Sequence, residues 1–295
     1  MTTTPRAIVV ATDFSPTAEH AQRVAHRLAA AFGAELHLLH VRVLLEDPHL
    51  GEEQRHEFER MLSDSDASTR DALVAAGAIA DDVRTIPHLV RGLSESEAIV
   101  ETARDLGADL IIMGTHGRRG LSHVLLGSVA ERVVRSSPIP VLTVRHDAVD
   151  LESVGRILVP HDFSSHSVGA VRLAGEWADA LGSSITLFHA VEPVVYPDFY
   201  AVDVLPGELS ERLQRRSREA LEEAASTLLA GRSCDVRVVA GRAGETIVET
   251  AVPTDFDLVI LGTRGLSGLE HLLLGSVAEG VIRRCAIPVL SVRAQ

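Results

Sequence analysis

The chain has 295 residues, 46% of them hydrophobic and 23% charged, with a formal net charge of −13. That is enough apolar material for one large core or two ordinary ones, and the negative balance argues against a general nucleic-acid or anionic-membrane binder. All 28 basic residues are arginine, which excludes a Walker A phosphate loop and a Schiff-base mechanism, since both need a lysine amine.

Arg6–Thr12 is a short apolar run that reads as a strand, broken by Asp13-Phe14-Ser15-Pro16. Nothing before it resembles a signal-peptide core, and no apolar run reaches the ~18–20 residues of a membrane span. Cys234 and Cys285 follow no ligand spacing. Together these features predict a cytoplasmic protein with free thiols, no metal site and no membrane partner.

Ser15 and Pro16 fit an N-cap and first helical position. Ala18, Ala21, Ala25, Leu28, Ala29 and Phe32 then share one helical face, and Gly33 ends the helix. Glu35–Val41 is a second strand. An acidic loop and a charged helix follow, with Phe58, Met61, Leu62 and Leu73 as the expected inner face. Val83–Val90 is a third strand, Ser94–Leu106 a helix, and Asp109–Met113 a fourth strand. A glycine-bearing loop, a helix opening at Gly127 and a strand over Pro140–Arg145 complete the set.

From Arg156 the same order returns. Asp162-Phe163-Ser164 lies 149 residues after Asp13-Phe14-Ser15, as His189 does after His40 and Gly241 after Gly92; the offset is 148 from Ile99 and Ile247 onward. Such a constant offset is an internal duplication, with a boundary in the polar stretch His146–Ser153. Residues 1–147 and 153–295 are the two expected domains. Alternating strands and helices predict an α/β fold, a five-stranded parallel sheet in each half with helices on both faces.

The most distinctive stretch also occurs twice, as Gly-x2-Gly-x9-Gly-Ser. Gly114, Gly117, Gly127 and Ser128 carry it first, and Gly262, Gly265, Gly275 and Ser276 second. A strand, a glycine loop and a fresh helix N-terminus form a phosphate cradle, in which glycine admits the anion and the first helical N–H groups face it. If the first and fourth strands are neighbours, Asp13 meets Gly114 and Asp162 meets Gly262 beyond the strand ends. The alternative for the glycines and both aspartates is a turn or cap with no ligand. His40, His189, His123 and His271 recur on different elements without ligand spacing, which predicts packing or local hydrogen bonds. His116, inside the loop, is a candidate for phosphate or ribose contact. Both tyrosines fall in Pro193–Tyr200, which reads as a packed surface loop, a lid or a partner-binding loop.

Assembled, these residues resemble a tandem universal stress protein of the ATP-binding branch, over nearly the whole chain. The resemblance implies two tandem Rossmann-like (adenine nucleotide alpha hydrolase-like) domains of strand order 3-2-1-4-5, paired as an internal dimer, with further pairing of chains open to them. It implies an ATP in each half, with Mg2+ bridging its phosphates and a protein partner reading the bound state. By match, the adenine pockets fall at Thr12 and Val41 and at His161 and Ala190, with Asp13 and Asp162 beside the nucleotide. Met113, Gly114, His116, Gly117, Arg118, Gly127, Ser128 and Val129 form the first ribose and phosphate loop. Leu261, Gly262, Arg264, Gly265, Gly275, Ser276 and Val277 form the second.

Arg118 and Arg119 follow the first glycine pair, whereas Leu266 and Ser267 follow the second. This difference predicts tighter ATP binding in the first half at low salt. The competing reading is a nucleotide-dependent hydrolase or transferase on the same fold. No Gly-x-Ser-x-Gly elbow or metal cluster supports it, so at most slow ATP hydrolysis is expected. A dinucleotide oxidoreductase would want Gly-x-Gly-x-x-Gly where Ala11-Thr12-Asp13-Phe14-Ser15 stands.

Overall fold

The computed structural model describes residues 4–43, 52–78, 83–117, 126–148, 151–192, 206–263 and 274–293. Strands β1 (Ala7–Ala11) and β2 (Glu35–Val43) alternate with helices α1 (Pro16–Phe32) and α2 (Glu52–Gly77). After β3 (Thr85–Gly92) come α3 (Glu95–Asp105), β4 (Leu110–Gly114), α4 (Ser128–Ser136) and β5 (Val141–Val144). The second half repeats this as β6 (Arg156–Pro160), α5 (Ser165–Leu181), β7 (Ser184–Val191), α6 (Pro206–Leu228) and β8 (Cys234–Ala240). It closes with α7 (Ala243–Thr250), β9 (Leu258–Gly262), α8 (Ser276–Arg284) and β10 (Val289–Val292).

The strands form one ten-stranded sheet of order β3-β2-β1-β4-β5-β10-β9-β6-β7-β8. Each half is therefore a parallel sheet of order 3-2-1-4-5. Strand interiors such as Ile8-Val9-Val10 and Ile157-Leu158-Val159 are fully buried, as expected of strands covered on both faces. The register is pinned at the strand starts by two equivalent carboxylates. Asp109 Oδ2 accepts from the Arg6 and Ala7 amides at 2.8 and 3.3 Å, and Asp257 Oδ2 from those of Gly155 and Arg156 at 2.9 and 2.8 Å.

The halves join where β10 runs antiparallel to β5, with Leu290 opposite Leu142. Side chains reinforce this seam reciprocally. Thr143 Oγ1 donates to the Val289 carbonyl at 3.1 Å and Ser291 Oγ to that of Val141 at 2.9 Å. One apolar layer runs through both halves and includes α1, α5, Leu73 of α2 and Leu221 of α6. Within it Phe32 meets Trp177 edge-on, with ring centroids 5.0 Å apart. The opposite layer is formed with α3, α4, α7 and α8.

The expected inner face of α1 is buried, with Phe32 partly so. In α2 the expectation needs correcting. Leu73 is fully buried but Met61 is 66% exposed, because the inward stripe runs through Asp66, Thr69 and Leu73 and turns Met61 outward. Asp66 is held there by ion pairs with Arg42 of β2 and Arg91 of β3. The side chains of Phe58 and Leu62 lie outside the described residues. Among those described, no helix is long and apolar enough to cross a membrane, and Cys234 and Cys285 are free thiols.

Candidate functional site

Each half turns sharply after its first strand. Ser15 N donates to Asp13 Oδ1 at 3.0 Å, Phe14 N to Thr12 Oγ1 at 3.0 Å, and Ser15 Oγ caps α1 by accepting from Ala18 N at 3.3 Å. In the second half Ser164 donates to Asp162 Oδ1 through both N, at 3.1 Å, and Oγ, at 2.6 Å, while its Oγ caps α5. The turn forces the intervening residue into the left-handed region, at φ 60° for Phe14 and 63° for Phe163. For a bulky residue this conformation costs about 1–3 kcal/mol. Nothing in the composition signalled it, though the exact recurrence of Asp-Phe-Ser was its trace. The rings find partners in His40, at 4.9 Å, and in His189, at 4.6 Å.

His40 and His189 behave as local packing predicts. Nδ1–H of each donates to the carbonyl two strands' ends converge on, that of Thr12 at 2.7 Å and that of His161 at 2.8 Å. Those bonds lock β2 to β1 and β7 to β6 at the ends that face the crevice.

The glycine loop comes to the same place. A Cβ on Gly117 would lie 2.6 Å from Asp13 Oδ2, so the aspartate carboxylate and the loop backbone are in direct contact. Gly114, at the end of β4, abuts Thr17 in the first turn of α1. Gly127 N donates to the Thr115 carbonyl at 2.8 Å and Gly275 N to that of Thr263 at 2.9 Å, closing the base of each loop. The close approach at Gly127 is therefore to Thr115, where a Cβ would sit 2.8 Å from the carbonyl oxygen. Glycine is thus required at 127 for two stretches of backbone to touch, besides the anion contact expected of it.

Helices α4 and α8 begin at these glycines without a side-chain cap, unlike α1 and α5. Their first N–H groups are positioned to receive an acceptor from outside the helix. In the second half an open cleft lies at this helix start. Eight residues singled out from the sequence line it: His161, Asp162, Ala190, Leu261, Gly262, Gly275, Ser276 and Val277. Sequence reasoning missed Ser167, Phe188, Ala243, Ile247 and Thr263, which also line it. Ala243 and Ile247 come from α7, whose helical period alone does not tell a cleft wall from core.

In the first half, Thr12 is buried at the end of β1, Val41 and Met113 are packed in the core, Ser128 is exposed and Val129 is partly buried. His116 Nδ1 lies 3.0 Å from Thr115 Oγ1, and its Nε2 is buried without a hydrogen-bond partner. Arg118, Arg119, His123, Pro193–Tyr200, Arg264, Gly265, Leu266, Ser267 and His271 lie outside the described residues. Among the described residues no group of three or more His, Cys, Asp or Glu could hold a metal ion.

The sequence model of the universal stress protein family matches twice, over residues 5–145 and 153–293. A universal stress protein of Thermus aquaticus is 34% identical over 137 residues, 46% of this chain and 97% of its own length. One from Mycobacterium tuberculosis is 26% identical over 227 residues, 76% of this chain and 77% of its own. Among solved structures, a universal stress protein of Archaeoglobus fulgidus shares the fold at a TM-score of 0.66 and 22% identity, with 98% of both chains covered. With the family matched once in each half, the chain belongs to the universal stress protein family and carries two of its domains in tandem.

Proposed function

We propose that this protein binds ATP, one molecule in each half, and that occupancy alters the surface it offers to a protein partner in the cytoplasm. The observation that carries the reading is the second-half cleft, where residues from five separate segments converge on the uncapped N-terminus of α8. The donor set suits a nucleotide. The N–H groups opening α4 and α8 would hold phosphate oxygens, and the helix dipole favours their charge. Asp13 and Asp162 offer acceptor oxygens to ligand hydroxyl or amino groups. The apolar lining of Phe188, Ala190, Ile247 and Leu261 would cover a flat base.

The described lining residues include no arginine, and the chain has no lysine. A bound Mg2+ would supply charge neutralisation on the phosphates themselves. We expect turnover to be slow or absent. Among the described residues the carboxylate lining the cleft is Asp162, already engaged by Ser164 N and Oγ, which ill suits it to take a proton from water.

The test is to denature the purified protein, identify the released nucleotide and count it per chain, then titrate nucleotide-free protein with ATP by calorimetry. Two ATP per chain are expected. Failure to bind ATP saturably would overturn the reading, and hydrolysis near the ~10 s⁻¹ median of enzymes would replace it with an enzymatic one.

A further inference from the structure

Thr12 and His161 occupy the same place in the two halves, 149 residues apart, and there the halves differ in chemistry. The Thr12 hydroxyl is used internally, accepting from Phe14 N at 3.0 Å. His161 closes no such bond. Its side chain lines the cleft, is only 5% exposed, and holds Nδ1 without a hydrogen-bond partner. A buried nitrogen left unpaired is costly, and a half-turn of the ring exchanges Nδ1 with Cδ2 without changing the ring's shape. The imidazole can thus offer a nitrogen to an occupant of the cleft.

Its surroundings favour a response to charge. Among the described residues, the titratable groups lining the cleft are His161 itself, Asp162 beside it and His189 on β7, whose Nδ1–H donates to the His161 carbonyl at 2.8 Å. The remaining described lining, from α5, β7, α7, β9 and α8, is uncharged. An anion entering this partly desolvated space interacts strongly with any charge already there.

We propose that His161 hydrogen-bonds the ligand of the C-terminal cleft and takes up a proton as an anionic nucleotide binds, so that His161 makes this site proton-linked. The inference rests on the nucleotide reading above. The sign follows from the environment. In the empty cleft burial lowers the His161 pKa below its ordinary value, against the opposing effect of Asp162 and with a small further lowering from His189. The negative charge of phosphates held at the α8 N-terminus, across the same cleft, favours the protonated ring and raises its pKa. Affinity therefore grows as pH falls through the pKa of the complex, and levels off below that of the empty cleft. Each unit of separation between the two is worth about tenfold in affinity.

The experiment is ATP titration of the intact chain from pH 8 to pH 5.5, in buffers of different ionisation enthalpy so that proton uptake is read directly. The expected result is that C-terminal affinity rises toward low pH about tenfold or more beyond that of the His161→Gln variant, with proton uptake that the variant lacks. His161→Gln keeps a hydrogen-bonding nitrogen but cannot titrate, and should bind without that uptake. Thr12→His should bring uptake to the other site. Unchanged proton uptake in His161→Gln, or none in the natural protein, would overturn the role of His161 while leaving the nucleotide reading intact. An absence of saturable ATP binding at every pH would instead remove the nucleotide reading, and this inference with it.

Discussion

Replacing Gly127 by alanine tests why the loop glycine is there. Its backbone, at φ −61° and ψ 140°, is open to any residue, so conformational strain is not at issue. What an added methyl meets is the Thr115 carbonyl oxygen at 2.8 Å, with His116 Cα at 3.6 Å behind it. Restoring ordinary contact requires about 0.6 Å of separation, and that displacement acts on the 2.8 Å bond from Gly127 N to the same oxygen. Losing most of one hydrogen bond, plus residual crowding, should cost about 1–2 kcal/mol of stability. It also splays the base of the loop away from the N-terminus of α4, so ATP affinity in that half should fall at least tenfold, or about 1.4 kcal/mol.

Urea unfolding and calorimetric titration measure the two effects separately. Gly33→Ala is the natural control. Gly33 ends α1 at φ 67° with open space around it, so alanine there should cost about 1 kcal/mol through strain alone. It lies a 17-residue helix, roughly 25 Å, from the crevice, and ATP binding should not change. If Gly127→Ala loses stability but binds normally, the loop base does not position the ligand. A stability equal to that of the natural protein would refute the close-approach argument itself.

Two further substitutions address the scaffold. Asp257→Ala removes the acceptor for two backbone N–H groups and should lower stability by about 1–2 kcal/mol, with ATP affinity unchanged because these strand starts face away from the clefts; an unmoved urea midpoint would show that the pair of bonds is replaced by water at no cost. Glu176 has an oxygen buried without a hydrogen-bond partner, and burial raises its pKa above the ordinary 4.5, with Asp179 adding to the rise and Arg232 opposing it. The raised value means that stability is fully present below the unfolded pKa and is lost as pH climbs through the folded one. Glu176→Gln should therefore raise the urea midpoint at pH 7, with a gain that shrinks toward pH 4; a gain independent of pH would assign the effect to packing.

Much of this architecture was legible because parallel strands buried on both faces read as unbroken apolar runs, such as Leu110-Ile111-Ile112, and because every landmark occurs twice. The meeting of Asp13 with the glycine loop followed from strand order, and the contact at Gly117 bears it out. What stayed hidden depends on distances across the chain. The partner of Gly127 is a carbonyl twelve positions earlier, and spacing alone cannot say whether a glycine faces a ligand or another stretch of backbone. The inward face of α2 departs from its hydrophobic pattern at Met61 because ion pairs across the sheet draw Asp66 inside. The left-handed Phe14 and Phe163 contradict local propensity outright, which is characteristic of turns overdetermined by tertiary contacts at functional places.

The seam explains why the two halves occur in one arrangement. Every residue of β5 and β10 is buried, so either strand left at an edge would expose apolar backbone ready to pair with another chain. The outermost strands are built differently. Pro87 and Arg91 lie in β3, and Asp235 and Arg237 in β8, the proline and charges that discourage edge pairing. Antiparallel pairing of β10 with β5 also reverses the direction of the second half, so crevices at the strand C-termini open on opposite edges of the shared sheet. At the seam, Arg145 Nη1 donates to the Arg283 carbonyl in the last turn of α8 at 2.8 Å, and Arg293 Nη1 to that of Ser136 at the end of α4 at 3.4 Å. Each half thus supplies a cation to the C-terminus of the other's last helix, where the helix dipole favours one. The same two helices present their N-termini to the clefts, so the residues that hold the halves together and those proposed to hold the ligand are opposite ends of one pair of elements.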